Sequence, residues 1–317
     1  MFKHFWSSIF AGALLTVGLA APAHALVGRA WVSGHGADAA GCGAPTNPCR
    51  TFQFVLSNIL APGGEIDVLD PAGYGPMTIN FAVNIINKAA LAGVIGPSGG
   101  TAITINAGTT DFVNLQGLVI EGQGSATTGI QVNSAGSVSL SGSEVFGFTG
   151  AGINFTPNNG SGGSSSLTIS STGVYDNQSD DVVIAPQGGT QGRAVLKDKC
   201  SIGGAPVGVL SDGSAAAFVH TTITDCIVSN ISGPAVEANG PSSAIVNVMV
   251  DRANISNTDI ALESSGSNAR VAVTGSTIAH STTPTLSSSS GALYSFGNNT
   301  FFYVTTQPSF TITEQLK

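Results

Sequence analysis

The segment Val113-Asn-Leu-Gln-Gly-Leu-Val-Ile120 has seven degenerate copies later in the chain, at intervals of 23 to 29 residues. Each copy ends on an apolar anchor and has further residues, mostly apolar, five and seven positions earlier, as Leu115 and Val113 precede Ile120. A recurrence of this length is typical of repeat proteins. The anchors are Ile120, Val145, Val174, Ile202, Val228, Ile255, Ile278 and Phe301.

Within one repeat, the two apolar pairs are out of phase. Positions minus seven and minus five share one face of a strand, and so do positions minus two and zero. The step from minus five to minus two is odd, so one straight strand would place the two pairs on opposite faces. We therefore expect a corner at positions minus four and minus three, with a short strand on each side. A further apolar segment follows each anchor, so two or three strands make a coil. Position minus five reads Leu115, Leu140, Ile169, Lys197, Ile223, Val250, Val273 and Phe296.

Coils that stack in one direction pair their strands in parallel and bury a continuous interior. The pattern predicts an all-β fold, a single-stranded parallel β-helix or solenoid. A β-propeller needs blades of about 40 residues or more, and a leucine-rich repeat has a Leu/Asn consensus that this chain lacks. Composition agrees, because charged residues make up only 9% of the chain against roughly 25% in ordinary domains. A like charge repeated at every coil would repel itself.

The first 25 residues have the pattern of a secretory signal: Lys3, an apolar core, and the small residues Ala23 and Ala25 before an expected cleavage. We expect a secreted or periplasmic protein without a membrane span. The chain carries a net charge of −8, which disfavours nucleic acid and anionic membranes as partners. It also disfavours polyuronates, unless a local basic patch compensates.

Residues 26–64 are predicted to cap the solenoid, and residues 65–317 to form it, as one domain. Apolar residues at helical spacing predict a helix that covers the open end of the core. Asn47 is expected to cap this helix, Pro48 to lie in its first turn, and Gly63-Gly64 to end it. The helical stripe is Phe52, Val55, Leu56, Ile59 and Leu60.

This opening carries a recognisable set of motifs. They are Trp31-Val-Ser33, Asp38, Pro48-Cys-Arg-Thr-Phe-Gln53, Gly63-Gly-Glu-Ile-Asp-Val68 and Gly73-Tyr74. With them the chain resembles the pectate-lyase-like superfamily of exported β-helix proteins, most of all its uncharacterised proteobacterial members with paired cysteines. The resemblance implies a right-handed parallel β-helix with an N-terminal capping helix. It does not indicate an activity, since the superfamily includes lyases, hydrolases, esterases and proteins that only bind.

Four cysteines in an exported protein favour disulfides over metal binding. Cys42 and Cys49 enclose a short loop in the cap. Cys200 and Cys226 both lie two positions before an anchor, so they should stack in adjacent coils about 4.8 Å apart, within reach of a bridge. The alternative for this second pair is two inert buried thiols. We expect no metal, because Cys-x-x-Cys and clustered His are absent.

Charged residues gather at the predicted corner of three successive coils, and they are the candidate catalytic residues. A lyase could use a basic side chain and Ca²⁺ there, the only case in which a cofactor is expected. Asp198 and Asp251, about 9.6 Å apart in one column, would suit an inverting glycosidase. The favoured interpretation is an exposed ladder of ion pairs. The residues are Lys197, Asp198, Lys199, Asp225, Asp251 and Arg252.

Other polar and aromatic residues are expected to have structural roles and not to bind a ligand. Asn230 and Asn257 recur two residues after an anchor, where a side-chain amide suits a turn. Phe296, Phe301, Phe302 and Tyr303 are expected to close the core, with a sugar-stacking platform as the alternative. Gly34-His-Gly36 resembles a polygalacturonase motif, but it precedes the first coil and is interpreted as coincidence.

The function expected from the sequence is that of an exported, non-catalytic β-helix protein with a surface, matrix or carbohydrate-binding role. Its partner would be a polysaccharide or a cell-surface glycan. The alternative is a polysaccharide-active enzyme, a lyase or a glycoside hydrolase, that uses the charged corner.

Overall fold

The computed structural model describes residues 26–88 and 91–314. The expected signal peptide, residues 1–25, lies outside this part of the chain. The described residues form one helix, α1 (Phe52–Asn58), and 28 strands. In chain order the strands are β1 (Val27–Val32), β2 (Leu60–Val68), β3 (Ala72–Gly73), β4 (Met77–Ile79), β5 (Val83–Ile86), β6 (Ala92–Ile95), β7 (Thr101–Asn106), β8 (Phe112–Gln116), β9 (Leu118–Glu121), β10 (Thr128–Ser134), β11 (Ser137–Ser141), β12 (Glu144–Phe146), β13 (Ile153–Phe155), β14 (Ser164–Ser170), β15 (Gly173–Tyr175), β16 (Asp180–Ile184), β17 (Gln191–Lys197), β18 (Ser201–Gly203), β19 (Val207–Asp212), β20 (Phe218–Thr224), β21 (Ile227–Asn239), β22 (Ile245–Asp251), β23 (Asn254–Ser265), β24 (Ala269–Thr274), β25 (Thr277–Ser288), β26 (Ala292–Ser295), β27 (Thr300–Phe302) and β28 (Ile312–Thr313).

The strands build a three-sided solenoid in which equivalent strands of successive coils pair in parallel. Face 1 is a sheet of 12 strands in the order β1-β2-β5-β8-β11-β14-β17-β20-β22-β24-β26-β28. Face 2 runs from β3 through β6, β9, β12, β15 and β18, and face 3 from β4 through β7, β10, β13, β16 and β19. The long strands β21, β23 and β25 pass round the edge between faces 2 and 3 and join them into one sheet. The predicted parallel β-helix is therefore confirmed.

The eight anchors occupy a single interior file, as the repeat predicts. Each anchor pairs with the anchor one coil later, from Ile120 with Val145 to Ile278 with Phe301. The first seven are fully buried, and Phe301 is half-buried at the end of the file. Each fully buried aliphatic side chain contributes roughly 1.5–3 kcal/mol, so the continuous file stabilises the elongated domain.

Two corners turn the chain within each coil, and both use left-handed backbone. Corner 1, between faces 1 and 2, lies three positions before the anchor, where Asp225 and Arg252 have φ of 55° and 48°. Corner 2, between faces 2 and 3, lies two positions after the anchor, where Asn230 and Asn257 have φ of 58° and 55°. Asn and Asp tolerate this conformation better than most residues. The turn role assigned to the two asparagines is confirmed.

The register at position minus five departs from the sequence prediction in two coils. Leu196, not Lys197, pairs with Ile169 and Ile223 in the interior column. The cause is an extra corner residue, since Asp198 and Lys199 both adopt positive φ. The extra residue shifts the strand by one position and turns Lys197 outward. In the last coil, Ser295 replaces Phe296 in the same column, because the connection to the anchor is again one residue longer.

The predicted helix forms in the N-terminal segment, but it begins and ends at other residues than the sequence indicated. Thr51, not Asn47, is the N-cap, and its hydroxyl accepts a hydrogen bond from the Phe54 amide. Asp38 supports this turn by accepting hydrogen bonds from the amides of Arg50 and Thr51. The helix ends after Asn58 and strand β2 follows at once, so the predicted stop at residues 63–64 is wrong, because those glycines lie inside β2.

The helix covers the end of the core with its apolar side. Phe52, Val55 and Leu56 are buried in the same cluster as the first coils, and the ring of Phe52 contacts that of Tyr74 at 5.0 Å. Gln53 accepts a hydrogen bond from the Thr78 amide at 2.7 Å, at the outer edge of face 3. The motif residues that carry the family resemblance thus tie the cap to the solenoid.

Both predicted disulfides are present. Cys42 and Cys49 close the loop of the cap, with Cα atoms 5.0 Å apart. Cys200 and Cys226 join adjacent coils directly behind corner 1, with Cα atoms 4.7 Å apart. The described residues contain no free cysteine, so the alternative of two inert thiols is wrong.

Candidate functional site

The charged corner is an exposed set of ion pairs centred on Arg252. Its Nε lies 2.9 Å from Asp225 Oδ1, its Nη2 lies 3.0 Å from Asp225 Oδ2, and its Nη1 contacts Asp251. The hydrogen bond from Arg252 lowers the pKa of the Asp225 carboxyl. The guanidinium therefore holds the Asp225 carboxylate in its charged form, which makes this group a poor proton donor near neutral pH.

The other three candidates lie one coil earlier and do not join this set. Lys197 Nζ lies 3.3 Å from Asp198 Oδ2, and Ser170 donates a hydrogen bond to the same oxygen, which lowers the pKa of Asp198. Lys199 forms no ion pair within the described chain. Asp198 occupies the extra corner position, whereas Lys197 aligns with the column of Asp251. The predicted placement of Asp198 and Asp251 in one column is therefore wrong.

A second group of residues, on the outer surface of face 1, was not singled out from the sequence. Strands β17, β20, β22 and β24 place Arg193, His220, Asn247 and Arg270 in one outward column. The ring of Phe218 lies beside it, 5.6 Å from the Arg193 guanidinium carbon and edge-on to His220 at 5.8 Å. The column combines positive charge, an aromatic ring and hydrogen-bonding groups on a rigid sheet.

A shallow hollow of about 280 Å³ lies beside this column, and we call it the Ala272 hollow. Met249, Ala272 and Tyr294 follow one another in the neighbouring outward column. Because Ala272 is much smaller than the residues before and after it, the surface dips at this point. The lining includes His220, Asn247, Met249, Arg270, Ala272 and Tyr294.

Charge is distributed unevenly around the solenoid. Five of the ten Lys and Arg residues lie between positions 193 and 270, and all five are on face 1 or corner 1. Face 3 of the same coils carries Asp180, Asp212, Glu237 and Glu263. Asp198, Asp225 and Asp251 on corner 1 pair with Lys197 and Arg252. Arg193, Lys199 and Arg270 form no ion pair within the described residues, so this side of the acidic protein is locally basic, as a polyanionic ligand requires.

On face 3, Glu237 and Glu263 stack in adjacent coils without an ion pair among the described residues. Burial, followed by the charge of Glu263, raises the pKa of Glu237 to about 7. Burial also raises the pKa of Glu263. The pair is an uncompensated carboxylate cluster whose charge depends on pH in the neutral range.

Asp181 is a fully buried carboxyl near the start of strand β16, on face 3. Asn177 donates a hydrogen bond to its Oδ1 at 2.9 Å, while Oδ2 has no partner in the described structure. Burial raises its pKa to about 8. The group is therefore held as a neutral acid at physiological pH, inside the wall of the solenoid.

The cap brings together Ser33, His35 and Asp70, three residue types that also occur in hydrolase triads. Here Ser33 Oγ donates to Asp70 Oδ2 at 2.6 Å, and His35 Nδ1 lies 3.0 Å from the same oxygen. Both side chains thus contact the Asp70 carboxylate, whereas the nucleophilic Ser of a triad must donate its hydrogen bond to the His. Together with the Gly34 amide and the Tyr74 hydroxyl, they hold the cap on the first coil and lower the pKa of Asp70.

A signal for the face 1 column was available in the repeat. His220, Asn247 and Arg270 all lie eight positions before their anchors, and Arg193 lies nine positions before Ile202 because of the extra corner residue. Aligning that offset across coils would have revealed the column. The Ala272 hollow, by contrast, depends on the sizes of neighbouring side chains.

Neither a metal site nor a membrane-spanning helix is found in residues 26–88 and 91–314. In this part of the chain, no three His, Cys, Asp or Glu side chains are grouped so that they could hold a metal ion. The single helix there is too short to cross a bilayer.

Comparison with known proteins gives little beyond the geometry. No protein-family model matches the sequence, and no curated protein matches it. Among solved structures, the chain is similar to the A-module of the mannuronan C-5 epimerase AlgE4 of Azotobacter vinelandii. The two share 13% sequence identity, with a TM-score of 0.45 over 80% of this chain and 91% of the A-module. We transfer no residue role or substrate from so distant a likeness.

Proposed function

We propose that the protein is an exported, non-catalytic carbohydrate-binding β-helix that holds an acidic glycan on the outer surface of face 1. The observation that carries this proposal is the Ala272 hollow, where Tyr294, Arg270 and Asn247 converge on one small depression in a basic surface. Small-ligand sites are typically concave and mostly apolar, with a few placed polar groups.

Each group in the hollow has a counterpart in an acidic sugar. The ring of Tyr294 offers a flat apolar surface for the C–H face of a pyranose. Arg270 can bind a carboxylate through two parallel hydrogen bonds. Asn247 and His220 offer donors and acceptors for hydroxyl groups. At about 280 Å³ the hollow is at the lower limit of ligand sites, which suits one residue of a longer chain.

The position of the basic residues favours an extended ligand. Arg193 and Arg270 are three strand spacings apart in one column, about 14 Å at ~4.8 Å per strand. A chain that lies along the solenoid axis can meet both guanidinium groups. The lining of the hollow includes no carboxylate, so it lacks the acid pair that glycoside hydrolysis uses.

Binding should be measured with a panel of acidic and neutral oligosaccharides, by glycan array and then by calorimetry. We expect the wild type to bind acidic members, with affinity that falls as NaCl is raised. Tyr294→Ala and Arg270→Ala should each weaken binding about tenfold or more, equivalent to ~1.4 kcal/mol.

The matched control is Tyr175→Ala, which removes an aromatic ring on face 2, where Tyr175 stacks on Phe146 at 5.1 Å. It should bind as the wild type does. The proposal is wrong if the wild type binds no acidic glycan, or if the two face 1 variants and the control bind equally well.

A polysaccharide-active enzyme is the second candidate, and one observation favours it. Lys199, Asp225 and Arg252 line an open groove at corner 1, so a polymer could reach them. The purified protein should be screened against polyuronates and neutral polysaccharides for new reducing ends and unsaturated products. Turnover that is lost in Asp225→Asn would favour the enzyme over the binding protein.

A further inference from the structure

Three rings form an exposed cluster at the C-terminal end of corner 2, and we call it the C-terminal ring cluster. His280 stacks on Tyr303 with centroids 5.3 Å apart and planes 9° apart. Phe302 meets Tyr303 edge-on at 4.4 Å and lies edge-on to His280 at 6.2 Å. The rings support one another and form a contiguous aromatic surface.

The sequence suggested that Phe302 and Tyr303 close the core, but both rings lie outside it. Phe302 is 55% exposed and Tyr303 is 72% exposed. The adjacent Phe301 does face the core and packs against Phe310 at 5.9 Å. Exposed apolar residues that occur singly need no explanation, but a contiguous cluster is typical of a binding surface.

The neighbours of the cluster indicate its ligand. His280 and Tyr303 continue a corner 2 column whose preceding members are the exposed amides Asn230 and Asn257. Asn257 Nδ2 lies 3.4 Å from Asn230 Oδ1, so the two amides follow one another along the corner. Rings that can stack on a pyranose are thus continuous with amides that can bind hydroxyl groups. Among Asn230, Asn257, His280 and Tyr303, the only ionisable groups are the His280 imidazole and the Tyr303 hydroxyl.

The cluster is separate from the Ala272 hollow. Tyr294 lies on face 1, whereas Tyr303 lies beyond face 2 at the next corner of the solenoid. The two surfaces therefore lie on different sides of the solenoid, with face 2 between them.

We propose that the C-terminal ring cluster is a second carbohydrate site, specific for neutral sugar chains. It makes the protein bivalent, so that one molecule bridges a neutral glycan at corner 2 and an acidic glycan on face 1. The bridging role rests on the proposed function of face 1, whereas the ring site does not.

The test uses variants that the chain itself suggests. Tyr303→Asn places at corner 2 the residue found at the equivalent position two coils earlier, Asn257, and so preserves the left-handed turn, where φ of Tyr303 is 50°. Phe302→Ser copies Ser256 from the same column. Both changes should leave the urea midpoint of the protein unchanged.

Saturation-transfer NMR should be recorded with cellohexaose, xylohexaose, mannohexaose and maltohexaose. We expect at least one hexaose to bind the wild type and the Tyr294→Ala variant, and its signal to fall about tenfold or more in the Phe302→Ser, Tyr303→Asn double variant. Binding of every hexaose that is equal in the double variant and the wild type, or no binding of any hexaose, would overturn the ring site.

Bridging should be tested by immobilising polygalacturonate, loading the protein and adding the labelled neutral hexaose. Capture of the label should need both surfaces and should fail with Tyr294→Ala, because the protein is no longer retained. If the protein is retained neither on polygalacturonate nor on any other acidic glycan of the panel but binds the hexaose in solution, the ring site stands and the function of face 1 fails. If the protein is retained but captures no hexaose, bridging is wrong.

Discussion

Replacing Asp181 by Asn should remove a large part of the pH dependence of stability. The pKa of Asp181 is about 8 in the folded protein and about 3.9 in an unfolded chain. Below about pH 4 both states carry the proton, so the group adds no pH dependence. Between pH 4 and pH 8 only the unfolded state loses it, and the free energy of unfolding falls as the pH rises.

The difference of about four pKa units corresponds to about 5 kcal/mol between pH 4 and pH 8, at ~1.36 kcal/mol per unit. Asp181→Asn keeps an oxygen that can accept the hydrogen bond from Asn177 and removes the ionisation. Near pH 5 the variant should be as stable as the wild type to within about 2 kcal/mol. At pH 8.5 it should be the more stable protein by several kcal/mol.

The assay is urea unfolding, followed by circular dichroism, at pH 5, 7 and 8.5 with both disulfides intact. Glu237 shifts in the same direction, so the quantity of interest is the difference between variant and wild type. Asp180→Asn, which changes the adjacent half-exposed carboxyl, is the control and should retain the alkaline loss. A wild type and an Asp181→Asn variant that lose stability in parallel from pH 5 to pH 8.5 would refute the argument.

Three further predictions test the register and the corner. Loss of the Cys200–Cys226 bridge in the double Ala variant should lower the free energy of unfolding by about 3.5 kcal/mol, the value for a loop of this size; an unchanged urea midpoint would contradict it. Leu196→Ala should cost about 2–5 kcal/mol because the side chain is buried in the interior column, whereas Lys197→Ala should stay within about 0.5 kcal/mol; the reverse order would restore the sequence-based register. Arg252→Ala should leave the urea midpoint nearly unchanged, because its ion pairs are exposed, and a large shift would show that corner 1 is structurally essential.

The fold could be predicted because a solenoid repeats its constraints. The anchor file, the two corners and the stacking of Cys200 on Cys226 all follow from one spacing that the sequence displays eight times. Because equivalent positions occur in every coil, their burial can be inferred from several residues at once. A single atypical residue therefore does not obscure the pattern.

The errors arose where one coil differs in length from the others. A residue inserted at corner 1 leaves the anchor Ile202 in place but moves Lys197 out of the interior column. Hydrophobicity alone did not identify Leu196 as the buried residue, because Val195 and Leu196 are both apolar. The helix cap was missed for a different reason, since Thr51 acts together with Asp38, which is distant in sequence.

The candidate site was less predictable than the fold. The charged corner stood out because its residues are adjacent in sequence, yet the structure shows their carboxylates held in ion pairs. The residues of the Ala272 hollow are spread over 75 positions, from His220 to Tyr294, and only the coil register brings them together. The exposure of Phe302 and Tyr303 depends on what packs beside the last anchor, Phe301, and the pattern of the preceding coils does not predict it.

The inserted residue at corner 1 shows how this architecture can diverge. Asp198 lengthens one coil, and yet the strands before and after it keep their partners in the coils on either side. A change of length at an edge is therefore absorbed within a single turn of the chain. Descendants of such a protein can acquire or lose surface loops one at a time, and new specificities can arise without redesign of the interior.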